Sequence, residues 1–279
     1  MIGYRLVNFV PPGTAQTLHL NTPCGTWTFS KDAKFNDAQE AMGKGQCAET
    51  YIIDHPVSMK DGAAACDEAV NEMTPILLAA SYFLGLSVTA NRSVPFSEMM
   101  ILRPSDHWPR ERAMGAATPS VDSDTALIGQ MELFVRAWKL AGQAEKALLL
   151  VHHWLDALAC WSFEDMYLSA TTLLQVVAAT EETRQGKSLS FLQGVTGASN
   201  RFGVAPLSAD FKNMRNDLVH DGTLSGTRFS GKTLLDCAQV AADTFNWIDR
   251  YLYAALGLGA VGMVRFKQSS FINLNAYSL

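Results

Sequence analysis

Leu234-Leu-Asp-Cys-Ala-Gln-Val-Ala-Ala-Asp-Thr-Phe-Asn-Trp-Ile-Asp-Arg-Tyr-Leu-Tyr-Ala-Ala255 is the stretch on which the reading of the fold turns. Leu234, Ala238, Ala241, Phe245, Ile248, Leu252 and Ala255 recur at steps of three and four, which lays one apolar stripe along a long helix. Three earlier series have the same period: Leu127, Met131, Phe134 and Trp138; Leu148, Val151, Leu155 and Leu158; Met166, Ala170, Leu173 and Val177. Ser162, with Asp165 three residues on, has the form of a capping box and marks the start of the third helix. Four amphipathic helices with short connections predict a helical bundle over 120–260, followed by a tail at 261–279.

The residues before the bundle have a different pattern. Tyr4–Val10, Gly25–Ser30, Thr50–Ile53 and Met99–Leu102 are short runs of β-branched, aromatic and aliphatic residues, punctuated by Pro11-Pro12-Gly13 and Lys44-Gly45. A helix over about Asp67–Leu84 interrupts them, and Pro104–Pro119 has the composition of a linker. The expected fold is therefore α+β: a mixed region over 1–110, with no chemistry that its residues declare, and then an all-α bundle.

Composition narrows the function. Of the 279 residues, 48% are apolar and 18% are charged, an ordinary globular balance that excludes a disordered or collagen-like chain. The formal charge of -5 excludes a generic polycation, so any nucleic acid must be held by a local site. The five cysteines, at 24, 47, 66, 160 and 237, show no Cys-x-x-Cys pair and predict neither a disulfide framework nor a zinc site. Met1–Arg5 lacks the pattern of a signal peptide. Met73–Asn91 carries no charge and is long enough to span a bilayer, yet Pro75, Ser81, Gly85 and Ser87 favour a buried helix ending near Gly85, followed by a strand. The expectation is a cytoplasmic protein with no membrane contact, no metal and no cofactor.

The segment richest in chemistry is Ser208-Ala-Asp-Phe-Lys-Asn-Met-Arg-Asn-Asp-Leu-Val-His-Asp-Gly222. It reads as a short helix that Ser208 caps and Gly222 ends in a left-handed turn. Phe211, Met214 and Leu218 form a narrow apolar stripe, while Asn213, Asn216 and His220 fall on the opposite face with Arg215 on its flank. His220 lies in the last turn, where the helix dipole and the adjacent Asp221 favour the imidazolium. A histidine so placed suits proton transfer, and the planar, permanent charge of Arg215 suits a phosphate or phosphorane. Asn216 is placed to orient the imidazole or to bond a substrate oxygen. These are the parts for metal-independent RNA cleavage, in which the ribose 2'-hydroxyl is the nucleophile.

Arg215-Asn-Asp-Leu-Val-His220 resembles the signature of HEPN domains (higher eukaryotes and prokaryotes nucleotide-binding): an Arg, a polar neighbour, and a His about a turn later. The context is similar too, with the motif late in a helical region, a glycine just after it and a long final helix next. The close match covers Ser208–Gly222 and the looser one about 122–258. The resemblance implies a HEPN-like helical bundle in which Arg215 and His220 are the catalytic pair and Asn216 their polar partner. It also implies RNA as substrate, a homodimer in which two motifs meet, and a toxin or antiphage role with a possible antitoxin or other protein partner. Its alternative is a catalytically silent module for binding or dimerisation.

A second motif competes. Gly226-Thr-Arg-Phe-Ser-Gly-Lys-Thr233 fits the P-loop pattern letter for letter, but a P-loop needs a buried strand before it and a parallel sheet around it, and His220–Ser225 is no such strand. The alternative is a polar loop in which Ser230 caps the last helix and Lys232 meets an RNA phosphate. Arg201 is the other expected RNA contact. His107–Arg112 is a basic, aromatic patch expected at the surface. His152 and His153 are adjacent, so on a helix they diverge too far to chelate one metal.

Overall fold

The computed structural model describes residues 2–55, 57, 59–94, 108–112, 118–272 and 274–277. The expected strand Met99–Leu102, His107 and much of the expected linker lie outside the described residues. The fold is α+β, and the chain divides into two compact units, Met1–Lys139 and Leu140–Leu279.

The first unit is built on an antiparallel sheet of β1 (Ile2–Val7), β2 (Thr17–Thr22), β3 (Gly25–Lys31), β4 (Glu49–His55) and β5 (Thr89–Val94), in the order β2-β3-β4-β1-β5. Alternation along β2 and β3 buries Leu18, Leu20, Trp27 and Phe29 while their neighbours stay wetter, as expected for a sheet with one covered face. α1 (Phe35–Gly43) follows β3, and α2 (Ala63–Leu84) follows β4. From Ile76 to Leu84 α2 is buried on every side, which explains its lack of charge. It ends at Gly85 in the left-handed conformation, and the chain then enters β5. Glu72 of α2 accepts hydrogen bonds from Thr22 Oγ1, from Trp27 Nε1 at 2.9 Å and from Cys24 N at 3.2 Å. No helix among the described residues is long and apolar enough to cross a membrane.

Two sequence boundaries move. α3 (Asp124–Ala144) was expected to open the bundle, but its residues up to Lys139 belong to the first unit. Asp124 accepts the N–H groups of Gly13 at 2.7 Å and Ala15 at 3.0 Å, Glu132 accepts from Asn21 N at 2.9 Å, and Phe134 packs edge-on to Phe83. The tail at 261–279 is not separate either. Arg265 forms a buried two-pronged pair with Asp249, at 2.8 and 2.9 Å, and Phe266 and Phe271 pack on Phe245. Trp108, expected at the surface, is buried and donates from Nε1 to Thr74 Oγ1 at 3.1 Å.

The second unit holds α4 (Ala147–Leu158), α5 (Phe163–Gln185), α6 (Phe191–Phe202), α7 (Asp210–Asp221), α8 (Leu234–Ala255) and α9 (Ser269–Ile272). α5 packs against α4, α6, α7 and α8. Ser162 caps α5 as expected, accepting from Asp165 N. The helices are tied at one point by a buried carboxylate. Glu145 accepts from Arg201 Nη1 and Nη2, both at 2.8 Å, from Arg184 at 2.6 Å and from Tyr251 OH at 2.8 Å. Burial opposes its ionisation, but the hydrogen bonds from Arg201 and Tyr251 and the two guanidinium charges outweigh this and hold it below the usual carboxylate range.

A buried ion pair that loses one member leaves the other uncompensated. Glu145→Ala should therefore lower the unfolding free energy by about 3–5 kcal/mol in urea titration. Removing the exposed pair Lys44–Glu40 through Glu40→Ala should cost less than about 1 kcal/mol. Equal costs for the two variants would contradict this account.

Candidate functional site

α7 is positioned by its inner face. Phe211 and Met214 are fully buried, and Phe211 meets the ring of Phe191 edge-on and accepts a backbone hydrogen bond from Tyr167 OH. Leu218, expected as the third core position, is half-buried, and the residue that completes the buried face is Asp217. The ends of the helix differ in how well they match expectation. Gly222 closes it with φ 68°, as the sequence indicated. Ala209 holds the N-cap position, and Ser208 Oγ accepts from Asp210 N at 3.2 Å one step earlier.

Asp217 is the centre of this region. Its carboxylate accepts backbone N–H groups from Gly226 at 3.0 Å, Arg228 at 3.1 Å and Phe229 at 2.7 Å, and the Arg228 guanidinium at 3.2 Å. Burial pushes the group toward its neutral form. The backbone N–H groups of Phe229, Arg228 and Gly226, with the hydrogen bond from the Arg228 side chain, prevail and lower its pKa. Gly226 is required by this approach, since a Cβ there would stand 2.9 Å from Asp217 Cγ.

This geometry disposes of the P-loop match. The amides that a P-loop would turn toward a phosphate are turned instead toward the chain's own carboxylate, so the anion cradle of 226–229 is already filled. Ser230 does not cap α8. Thr233 does, in a reciprocal capping box with Asp236. The loop runs back along α7, and Lys232 ends near the start of that helix. There it bounds a cavity of 170 Å³ with Asp210, Phe211, Asp236 and Asp243, and its ammonium lies 5.3 Å from the Phe229 ring. From Asp210 to His220 the helix rises about 15 Å. The structure thus separates Lys232 from the Arg–His motif.

Arg201 also leaves the expected site. Its Nη atoms are bound to Glu145 and its Nε to Glu181 at 2.9 Å, and the guanidinium lies 4.0 Å from the Phe202 ring. Those hydrogen bonds give it a structural role and leave no free edge for RNA.

Asn216 and His220 lie one turn apart on the outer face of α7, and Arg215 lies on its flank, about 140° around the helix from His220. Arg215 Nη1 donates to Asn216 Oδ1 at 3.2 Å, so Asn216 orients the guanidinium. Asp217, the acid next but one to Arg215, is committed to the loop. His220 is exposed and makes no hydrogen bond, ion pair or ring contact with another described residue. Sequence reading passed over Arg228. Its Nη1 sits 3.2 Å from both Asp217 Oδ1 and Asp221 Oδ2. The arrangement offers one oriented cation and one unengaged imidazole on a solvent-facing helix surface.

Comparison of the chain with models of protein families, with curated proteins and with solved structures finds no match.

Two outcomes follow from the Asp217 anchor. A carboxyl whose folded pKa is depressed stabilises the fold above its unfolded pKa, and this contribution is lost as pH falls through the folded value. The stability difference between wild type and Asp217→Asn should be constant from pH 7 to about pH 5 and shrink below about pH 4, as read by thermal melts in a pH series. A difference that grows on acidification would contradict the assignment. With the cradle filled, millimolar ATP should leave the melting temperature of both wild type and Lys232→Ala unchanged; a rise in wild type that the variant lacks would restore the P-loop reading.

Proposed function

We propose that the outer face of α7 is a metal-independent ribonuclease site of the HEPN type, with Arg215 and His220 as its catalytic residues and Asn216 as their polar partner. The observation that carries the reading is the division of α7: Phe211, Met214 and Asp217 hold the helix in place, while Arg215, Asn216 and His220 are left off that face with His220 unengaged. Among the described residues His220 ties no element to another, and the one hydrogen bond given for Arg215 is to its neighbour Asn216.

The chemistry follows from the groups. A ribose 2'-oxygen attacks the adjacent phosphorus as an imidazole takes its proton. The bond to the 5'-oxygen breaks, and that oxygen is protonated as it leaves. The products are a 2',3'-cyclic phosphate and a 5'-hydroxyl. The Arg215 guanidinium, steadied by Asn216, stabilises the charge on the non-bridging oxygens of the phosphorane. One imidazole serves one proton transfer at a time, so a homodimer with two motifs across a two-fold axis supplies both the base and the acid. Val219, exposed beside His220, is an apolar group that such an interface would cover. In this proposal the protein acts on RNA in the cytoplasm, as a toxin or antiphage effector held in check by a protein partner.

His220→Ala and Arg215→Ala should each reduce cleavage of labelled RNA in EDTA by about 100-fold or more, with melting temperatures near wild type. Met214→Ala is the matched control, because emptying a fully buried position costs about 2–5 kcal/mol. Equal cleavage by wild type and His220→Ala would assign the activity elsewhere. Sedimentation that finds monomers alone at micromolar concentration would remove the paired-motif mechanism.

A further inference from the structure

The residue after His220 is Asp221, a carboxylate where a phosphodiester must approach. The last turn of α7 adds the negative end of its dipole. With Arg215, Asp217 and Asp221 as the neighbouring charges, the end of the helix would be net negative and would repel RNA. Arg228 alters that balance. Its Nη1 bridges Asp217 Oδ1 and Asp221 Oδ2, each at 3.2 Å, which brings a second guanidinium to the last turn of α7, the turn that carries His220.

Only one nitrogen of Arg228 is used in this bridge. Nε and Nη2 make no hydrogen bond to another described residue, and the side chain is 44% exposed. Three backbone amides already satisfy Asp217, so it does not need Arg228 to fill its acceptor positions. A guanidinium with one edge pinned by carboxylates and another open to solvent is oriented for a bidentate phosphate contact.

We propose that Arg228 is a phosphate-binding residue of the α7 face, neutralising Asp221 through Nη1 and receiving an RNA phosphodiester on its open edge; this rests on reading α7 as an RNA site. Arg215 would hold the scissile phosphate and Arg228 a flanking one. Arg228 comes from the loop whose backbone Asp217 gathers, so the same anchor that fills the P-loop-like cradle brings this cation to the end of α7.

The test is binding of a fluorescent single-stranded 2'-O-methyl oligoribonucleotide, which lacks the nucleophile, across a salt series. Arg228→Met should weaken binding about 10-fold and lower the log–log salt slope by about 0.7, the loss of one phosphate contact to a single strand. Adding Asp221→Asn to Arg228→Met should recover part of the affinity, because the unmasked carboxylate is gone. Arg228→Lys keeps the charge without the fork and should fall between; it carries the test if Arg228→Met melts below the assay temperature. Wild-type affinity in Arg228→Met and Arg228→Lys, with binding weakened in Arg215→Ala, would overturn the role of Arg228 and leave the α7 reading standing. Failure of wild type to bind the probe, or undiminished binding by Arg215→Ala, would overturn that reading and this inference together.

Discussion

The carboxylate of Asp217 is the constraint on which the candidate site depends. A buried anion needs donors, and the chain supplies three backbone amides and a guanidinium from the loop after α7. Meeting that need folds the loop back along the helix. It places Thr233 where it can cap α8, draws Arg228 to the end of α7, and uses the amides that would otherwise cradle a phosphate. It also decides which face of α7 is buried. With Phe211, Met214 and Asp217 turned inward, Arg215 and Asn216 are left half-buried and His220 exposed.

Glu145 applies the same physics at another point of the second unit. It too is an ionised, buried acid whose donors come from distant parts of the chain: Arg184 on α5, Arg201 on α6 and Tyr251 on α8. Both sites hold their helices and loops by directional bonds, and both draw in arginines from remote parts of the sequence. Arg201 is lost to RNA through Glu145 and Glu181. Arg228 is drawn to the end of α7 by Asp217 and Asp221.

The long helices were legible because burial of one stripe forces a 3.6-residue period, and α2, α4, α5 and α8 show it or end at a glycine that the backbone needs. β2 was not legible. Its Thr17–Thr22 sequence buries only Leu18 and Leu20, and two positions are too few to separate a strand from a loop. α1 was hidden for a like reason, since Phe35 and Ala38 are its buried residues. The boundary near 120 misled because the period of α3 is the same whichever unit its stripe packs into, and the deciding bonds, Asp124 to Gly13 and Ala15, are remote in sequence. At the site, the outer face of α7 could be read from angles alone. Asp217 could not, because a charged residue in an amphipathic helix reads as solvated until its donors are seen. The P-loop spelling failed for a related reason: eight letters specify a loop able to bind an anion, but not whether the anion is a ligand or the chain's own aspartate.

In the proposed reaction the substrate's own 2'-oxygen is the nucleophile on the α7 face. This is tested most directly by identifying the ends left on a defined oligoribonucleotide by mass spectrometry, in EDTA. The expected ends are a 2',3'-cyclic phosphate, with its hydrolysis product, facing a 5'-hydroxyl, with no scission after a nucleotide whose 2'-hydroxyl has been replaced by hydrogen. Products with a 3'-hydroxyl and a 5'-phosphate, or cleavage that persists at the 2'-deoxy position, would contradict it, because water would then be the nucleophile and the pairing of Arg215 with His220 would not explain the reaction.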